Sequence, residues 1–490
     1  MRARAHPGLL VAGAAALLLV LLLLVDGTRW VEVRITDSVL LVQGSHTTVD
    51  CLEQGVLASC SADGPNGDPV GAWPLAQYLV AVPLVAAGAA DLTVLQLLAA
   101  LSALAVGGML VLIAFPIRRL LGAEWSVVLG LTLLTGPFLL YALLPFGEAL
   151  TAFLAVAFVV SACARRPAWL LVTGLLAGTT KETLAPFLLA LGIVCAREAH
   201  DRWFPARRLL LPMVAGLVGA VLLNGAFNVF RFGTVRNVVY TAPDTRVPGV
   251  KFPVRLALAD WFAPNVGVTW FWFAAALLCA GLVVATVVLI VRDRRAPRTW
   301  LPPLVVVGVL VAYTAGLALW YSTFGWVAWG PRLTLPIIPA VLVAGIWTAH
   351  EPMTAGLTWI TRSAVRTLLV AGVVGVLALA QVGVVWHRAA IDLPLVPDAA
   401  CPTVVPIEQA TVDYFYGCGL HQAWRLDPLS LWEGARHGPA TQTIAQLLEL
   451  VMVAAAGLWL HRRARAGAPA NQRGRPFHST FDVPEERTVG

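Results

Sequence analysis

Residues 91–115 read DLTVLQLLAALSALAVGGMLVLIAF and carry no charged side chain after Asp91. A helix needs about 20 mostly apolar residues to cross the hydrocarbon core of a bilayer. Arg118 and Arg119 follow this stretch after two intervening residues, and basic residues are concentrated at the cytoplasmic ends of membrane helices. The stretch therefore predicts a transmembrane helix that ends in the cytoplasm.

Similar apolar stretches recur along the chain and predict an all-α, polytopic membrane protein. We predict about twelve transmembrane helices, near 8–25, 91–115, 126–144, 148–164, 167–180, 183–197, 209–229, 267–291, 301–320, 333–349, 367–386 and 441–460. The first segment is interpreted as a retained anchor, because no signal-peptide cleavage site follows it. The pair at 167–197 is short, and its pattern fits either two thin spans or one re-entrant hairpin.

The composition excludes several other classes of protein. Of the 490 residues, 59% are hydrophobic and only 12% are charged, whereas soluble domains have about 45–50% apolar and about 25% charged residues. A soluble enzyme, a disordered chain and a nucleic-acid-binding protein are therefore excluded, despite the net charge of +7. Arginine greatly outnumbers lysine, which suggests a GC-rich bacterium such as an actinobacterium.

Arginine placement predicts the orientation in the plasma membrane. Alternate loops carry clusters such as Arg165/Arg166 and Arg292/Arg294/Arg295, so these loops and both termini are predicted to be cytoplasmic. The membrane domain spans about 1–465, and the tail 466–490 is predicted to be disordered. Large extracytoplasmic loops are predicted at about 26–90, 230–266 and 387–440, with a helix along the membrane surface near 73–90.

Four of the seven cysteines fall in loops that the arginine count places outside the cell. In an oxidising compartment the simple pairing is two local disulfides, Cys51–Cys60 and Cys401–Cys418. The alternative is four free thiols.

The first loop contains a candidate general base. Asp37 lies about a dozen residues beyond the first predicted helix. A carboxylate there can meet both a lipid-borne donor and a water-borne acceptor. Asp50 and Glu53 are weaker alternatives in the same loop, and Asp37 could equally be an ordinary solvated or capping residue.

Three ionisable residues lie at helix ends near the membrane: Glu148, Lys181 and Glu182. Such groups are costly at membrane depth, and they are usually functional or paired with one another. The functional interpretation is a cation directed at a lipid-linked phosphate. The alternative is an ion pair of Lys181 with Glu182 or Glu148 that only locks helices.

Two arginines lie just outside predicted helices on the outer side of the membrane. Arg231 lies in a run of phenylalanines, and Arg332 follows Trp-Val-Ala-Trp329-Gly-Pro. Arginine binds phosphate in a bidentate manner, and the aromatic residues suit an interfacial belt or a sugar-stacking wall. The alternative for both arginines is snorkelling to lipid headgroups.

The order of these motifs resembles the GT-C superfamily of polytopic glycosyltransferases, which includes protein O-mannosyltransferases, lipid A aminoarabinose transferases and actinobacterial arabinofuranosyl- and mannosyltransferases. The resemblance covers about 1–349. The motifs are Thr36-Asp37-Ser38, Trp73-Pro74-Leu75, Gly147-Glu148-Ala149, the Gly-rich segment Gly174 to Thr183 that resembles a family turn, Asn228 to Tyr240, Ala263 to Gly267, and Trp326 to Pro336.

The resemblance implies transfer of a sugar from a polyprenyl-phosphate donor on the outer face of the membrane. Asp37 matches the catalytic aspartate of the family, and Arg231, Arg332 and Lys181 match basic positions near the donor phosphate. Glycans, lipids and proteins of the cell envelope are all possible acceptors, and a divalent metal is optional because these cations neutralise the leaving phosphate. No further cofactor is expected.

Some positions depart from the family pattern: Ser38 follows the aspartate, Val239 precedes Tyr240, and Ala263 replaces a serine. A divergent or non-catalytic member therefore stays open. Two alternatives remain: a membrane scaffold or accessory subunit, and a secondary transporter or lipid flippase that would use Glu449 in the last predicted helix.

Overall fold

The computed structural model describes residues 36–60, 75–142, 145, 147–197, 207–238, 251–263, 267–319, 332–390 and 440–466. All regular secondary structure in these ranges is helical, as the sequence predicts. The predicted anchor at 8–25, the pair Cys401–Cys418 and the tail beyond 466 lie outside the described residues.

Fifteen helices organise the described chain. They are α1 (Thr36–Glu53), α2 (Leu75–Ala86), α3 (Asp91–Leu112), α4 (Ala123–Leu134), α5 (Glu148–Cys163), α6 (Pro167–Thr180), α7 (Ala185–Ala196), α8 (Arg207–Phe232), α9 (Lys251–Phe262), α10 (Phe273–Arg292), α11 (Pro297–Ala318), α12 (Ile338–Thr348), α13 (His350–Thr361), α14 (Ala364–Ala390) and α15 (Ala440–Arg465). Shorter helical turns occur at Ile113–Ile117, Arg118–Leu121, Phe138–Tyr141, Glu182–Leu184 and Val268–Phe271.

Within the described residues, each predicted segment after the first overlaps at least one helix, but the lengths differ from twelve uniform spans. Among the described helices, four are long and apolar enough to cross a bilayer: Asp91–Leu121, α8, α10 and α11. The pair α13 and α14 would add a fifth, although it is bent by 103°. Six other apolar helices are shorter, so twelve full spans are not confirmed.

The centre of the bundle is made by two short helices. In α5 nearly every side chain is buried, from Glu148 to Cys163, and α12 is buried from Ile338 to Ile346. Both are rich in alanine and valine, which let neighbouring helices approach closely. Helices α3, α6, α7 and α12 pack around α5.

Small residues fasten α6 to α8. A Cβ atom added to Gly216 would lie 2.4 Å from the carbonyl oxygen of Leu171, and one added to Gly178 would lie 2.5 Å from the Cβ of Ala220. Asn224 Nδ2 also donates to the carbonyl of Gly178 at 2.8 Å. The segment 174–180, which resembles a Gly-rich turn in the sequence, is therefore a helical packing surface, and the turn begins only at Lys181.

The predicted pair 167–197 forms two separate helices. Helix α6 packs on α8 and α5, whereas α7 packs on α5, α11 and α8 and makes few contacts with α6. The two helices therefore share α5 and α8 as neighbours but pack little on each other.

The first loop contains two helices packed on α3. Helix α2 confirms the predicted helix near 73–90, while α1 was not predicted. Their apolar residues, including Leu41 and Tyr78, form a cluster with Val94 and Leu98. The disulfide Cys51–Cys60 is present, as predicted.

The residues that close this disulfide loop reach the end of α8. The amide of Ser59 donates to the carbonyl of Val229 at 3.3 Å, and that of Cys60 donates to Phe230 at 2.9 Å. The last carbonyls of a helix lack partners within the helix, so the disulfide loop supplies two donors for α8. Arg231 is the next residue in that helix.

Candidate functional site

Glu148 and Arg332 form a nearly buried ion pair at the start of α5. Arg332 Nε lies 2.5 Å from Glu148 Oε1, and the two side chains are only 12% and 9% exposed. Glu148 occupies the first turn of its helix, where the helix dipole favours a negative charge. Snorkelling of Arg332 to headgroups is therefore wrong as an interpretation of this residue.

Lys181 points into the bundle from the turn between α6 and α7. Its Nζ donates to the carbonyl oxygen of Leu333 at 3.0 Å, and the hydroxyl of Tyr313 donates to the same oxygen at 3.0 Å. The ion pairs considered for Lys181 in the sequence are replaced by arginine pairs: Glu148 bonds Arg332, and Glu182 lies 3.6 Å from Arg231.

Asp260 joins this group from the last turn of α9. It is fully buried, and Thr334 Oγ1 donates to its Oδ2 at 2.6 Å. Its Oδ1 has no hydrogen-bond partner among the residues that the structure describes. Burial raises the pKa of Asp260 to about 7, although the Thr334 hydrogen bond and the charge of Lys181 both act to lower it.

Gly267 lies directly against the end of α9. The amide of Gly267 donates to the carbonyl of Ala263 at 2.7 Å. A Cβ atom at Gly267 would lie 2.8 Å from the backbone of Phe262 and Ala263, a contact that backbone atoms cannot relieve. The motif thus needs a glycine at position 267, because a larger residue would collide with the end of the helix that carries Asp260.

Arg231 lies beside this group and is fully buried. Its guanidinium donates to Asn228 Oδ1, lies 3.6 Å from Glu182 Oε1 and stacks 4.3 Å from the ring centre of Phe227. Arginine favours such stacked and paired sites over lysine. Snorkelling is therefore wrong for Arg231 as well.

The first loop touches both parts of the site. Gln77 of α2 packs so closely over Gly147 that a Cβ atom there would lie 2.3 Å from its Nε2. The next residue, Tyr78, lies with its ring centre 6.0 Å from the Arg231 guanidinium. The loop that the sequence predicts to carry the base is thus fixed next to Glu148 and Arg231.

The structure brings together most of the charged residues singled out in the sequence. The site contains Glu148, Lys181, Glu182, Arg231 and Arg332, with Tyr313, Thr334, Asn228 and Asp260 as additional members. Sequence analysis missed Asp260, although an acid in the apolar run LALADWF was a usable signal. Trp329 and Tyr240 lie outside the described residues.

The three candidate bases occupy different ends of α1. Asp50 is half-buried, Glu53 is exposed, and both lie beside the disulfide near the end of α8. Asp37 is in the first turn of α1, fourteen residues before Cys51, which is about 21 Å along a helix. Along the chain, Asp50 is therefore much nearer than Asp37 to the C-terminal end of α1, which the disulfide holds beside α8.

The site is rich in cations but offers no metal ligand set in the described ranges. No group of three or more His, Cys, Asp or Glu side chains there could hold a metal ion. The carboxylates of Glu148 and Glu182 are instead engaged by arginines.

Comparison with known proteins gives two similar structures. No protein-family model matches the sequence, and no curated protein matches it significantly. Two crystal structures of ArnT from Cupriavidus metallidurans are similar to this chain. The apo structure has 18% identity and a TM-score of 0.37, and covers 92% of this chain and 78% of the other. The structure bound to undecaprenyl phosphate has 17% identity and a TM-score of 0.41, and covers 94% and 78%.

Proposed function

We propose that this chain is a membrane glycosyltransferase that moves a sugar from a polyprenyl-phosphate donor to an acceptor in the cell envelope, on the extracytoplasmic face. The observation that carries the proposal is the gathering of Lys181, Arg231 and Arg332 at the place where the first loop meets α5 and α8. These residues come from three distant parts of the chain, and each is held by buried contacts.

The chemistry of glycosyl transfer matches this arrangement. When the bond between the anomeric carbon and the phosphate oxygen breaks, negative charge develops on the leaving phosphate. Preorganised cations in a water-poor site stabilise such charge strongly. Arginine and lysine already held in place can do so without reorganising during the reaction, which is why the donor phosphate is assigned to this cluster.

The acceptor hydroxyl needs a base, and a carboxylate of the first loop is proposed for it. The motif resemblance favours Asp37. Asp50 lies next to Cys51 at the C-terminal end of α1, and it is the alternative base to be tested in parallel. Both residues belong to the same helix, so conservative amide variants form a matched pair.

A transfer assay tests the proposal. Purified protein in lipid is given labelled polyprenyl-phosphate mannose, arabinofuranose and glucose, with an envelope lipid extract as acceptor. We expect label to move to product with the wild type, and general acid–base catalysis is worth about 10²–10⁴-fold, so Asp37→Asn should lose about that much.

The controls separate the possible outcomes. Glu53→Gln should retain activity because Glu53 is exposed. Full activity of Asp37→Asn together with loss in Asp50→Asn would move the base to Asp50. Failure of the folded wild type to release polyprenyl phosphate from any of the three donors would count against the transferase function and in favour of a scaffold.

A further inference from the structure

In the absence of a ligand, the described residues of the site carry equal numbers of positive and negative charges. Three acids (Glu148, Glu182 and Asp260) face three bases (Lys181, Arg231 and Arg332). A phosphodiester brings one further negative charge, and an uncompensated charge in a buried site is costly. Neutralisation of one of the three acids would keep the described site balanced in charge when the anion binds.

Asp260 is the acid least able to remain charged. Glu148 and Glu182 each have an arginine partner, whereas no ion pair within 4 Å involves Asp260 in the described chain. It is also fully buried, while the side chain of Glu182 is 24% exposed. Its one described hydrogen-bond partner is the Thr334 hydroxyl, on Oδ2.

The carboxylate oxygen of Asp260 that lacks a described partner indicates where a bound proton would form a hydrogen bond. Oδ1 is buried and has no partner among the described residues. As a carboxylate oxygen it can only accept a hydrogen bond, but once protonated it becomes a donor. An anionic phosphate oxygen is a strong acceptor for such a donor.

We propose, on the basis of the proposed function, that Asp260 takes up one proton when the lipid-linked phosphate binds and donates a hydrogen bond from it to a phosphate oxygen. The proton comes from water and returns to water when the phosphate leaves. Asp260 thus contributes to phosphate binding only in its protonated form.

The charged groups that surround Asp260 set the direction of the pH dependence. The charge of Lys181, in the turn after α6, acts on Asp260. Helix α11, which packs on α9, carries Tyr313, while the turn Val268–Phe271, which also packs on α9, contributes no titratable side chain. Arg255 lies on the same helix and is exposed. Because burial raises the pKa of free Asp260 to about 7, the free protein is deprotonated above that pH and must take up the proton on binding.

Calorimetry of a non-titrating probe tests this inference. A polyprenyl methyl phosphate diester, which keeps a single negative charge between pH 5 and 9, is titrated into the full chain in detergent, in two buffers of different ionisation enthalpy. We expect uptake of nearly one proton at pH 8, little uptake at pH 6, and a Kd that rises about tenfold per pH unit above pH 7.

Three variants assign the proton. Asp260→Asn should bind with no proton uptake and a Kd independent of pH, whereas Lys181→Arg, which keeps a positive charge, should retain the uptake. Thr334→Val removes a hydrogen bond that favours the charged form, so the onset of uptake should shift to higher pH. This third variant reports on Asp260 even if Asp260→Asn does not fold.

The outcomes are distinguishable. Binding by the wild type without proton uptake would overturn this inference and leave the glycosyltransferase proposal intact. Uptake that persists in Asp260→Asn and disappears in Lys181→Arg would also overturn it. A folded wild type that does not bind the diester at all would overturn both proposals.

Discussion

At the scale of single residues, the pair Glu148–Arg332 belongs to the proposed site and should also contribute to stability. Its atoms are nearly buried, and Glu148 Oε2 has no hydrogen-bond partner among the described residues. Removal of one member of a buried pair leaves the other charge uncompensated, which costs about 3–5 kcal/mol. Replacement of both members removes that penalty.

We therefore expect Arg332→Gln to lower the stability of the folded protein by about 3–5 kcal/mol, and Glu148→Gln/Arg332→Gln to recover most of the loss. Thermal unfolding in detergent measures both. Arg463→Gln is the matched control, because Arg463 pairs with Glu124 at sites that are 48% and 38% exposed, where an ion pair contributes about 0–1 kcal/mol. Equal losses in Arg332→Gln and Arg463→Gln would contradict the assignment.

The sequence predicted the members of the site better than their partners. Glu148, Lys181, Arg231 and Arg332 were identifiable because they lie at the ends of apolar segments. A charged side chain at membrane depth is costly, and it is usually paired or functional. The pairing depends on which helices become neighbours, and the sequence of one chain does not contain that information directly. The arginines were consequently interpreted as possible headgroup contacts, although both lie inside the protein.

At the scale of helices, the contact of α6 with α8 depends on the absence of side chains. Gly216 lies against backbone, which cannot move away from an added methyl group, whereas Gly225 in the same helix has open space around it. The two glycines thus offer a comparison within a single helix.

We expect Gly216→Ala to destabilise the protein by about 1–3 kcal/mol through overpacking. Gly225→Ala should be neutral or stabilising by about 0.4–1 kcal/mol. Thermal unfolding of the two variants gives the difference. Because Asn228 and Arg231 lie on α8, transfer activity should fall in Gly216→Ala and not in Gly225→Ala. Identical unfolding temperatures would mean that α6 and α8 do not pack as described.

Helix existence was predictable and helix length was not. Apolar runs located the helical segments, but α1 was missed because its sequence, TDSVLLVQGSHTTVDCLE, is polar and rich in threonine. Its apolar residues become buried only through α2 and α3. Helices α5 and α12 are both short and buried, and an apolar pattern alone does not distinguish a short buried helix from a membrane span.

At the scale of the whole molecule, the arginine distribution predicts an orientation that can be measured directly. Ala90 and Arg166 are both exposed and lie in loops predicted to be on opposite sides of the membrane. The three described cysteines outside the disulfide are buried, so they contribute little background.

A membrane-impermeant maleimide should label Ala90→Cys in intact cells, and it should label Arg166→Cys only after the membrane is opened. Both variants should keep the electrophoretic mobility shift that reduction of Cys51–Cys60 produces, which shows that the disulfide is intact. Labelling of Arg166→Cys in intact cells would reverse the predicted orientation.

The contact between the disulfide loop and α8 has a consequence for biogenesis. Cys60 and the carbonyl that it meets, on Phe230, are separated by 170 positions in the chain. The ribosome must therefore deliver α8 to the membrane before the loop can find its place. Oxidation can proceed earlier, since both sulfurs lie within nine residues of each other. The disulfide can therefore form first, and the contact with α8, beside the proposed donor site, can form only after α8 is in place.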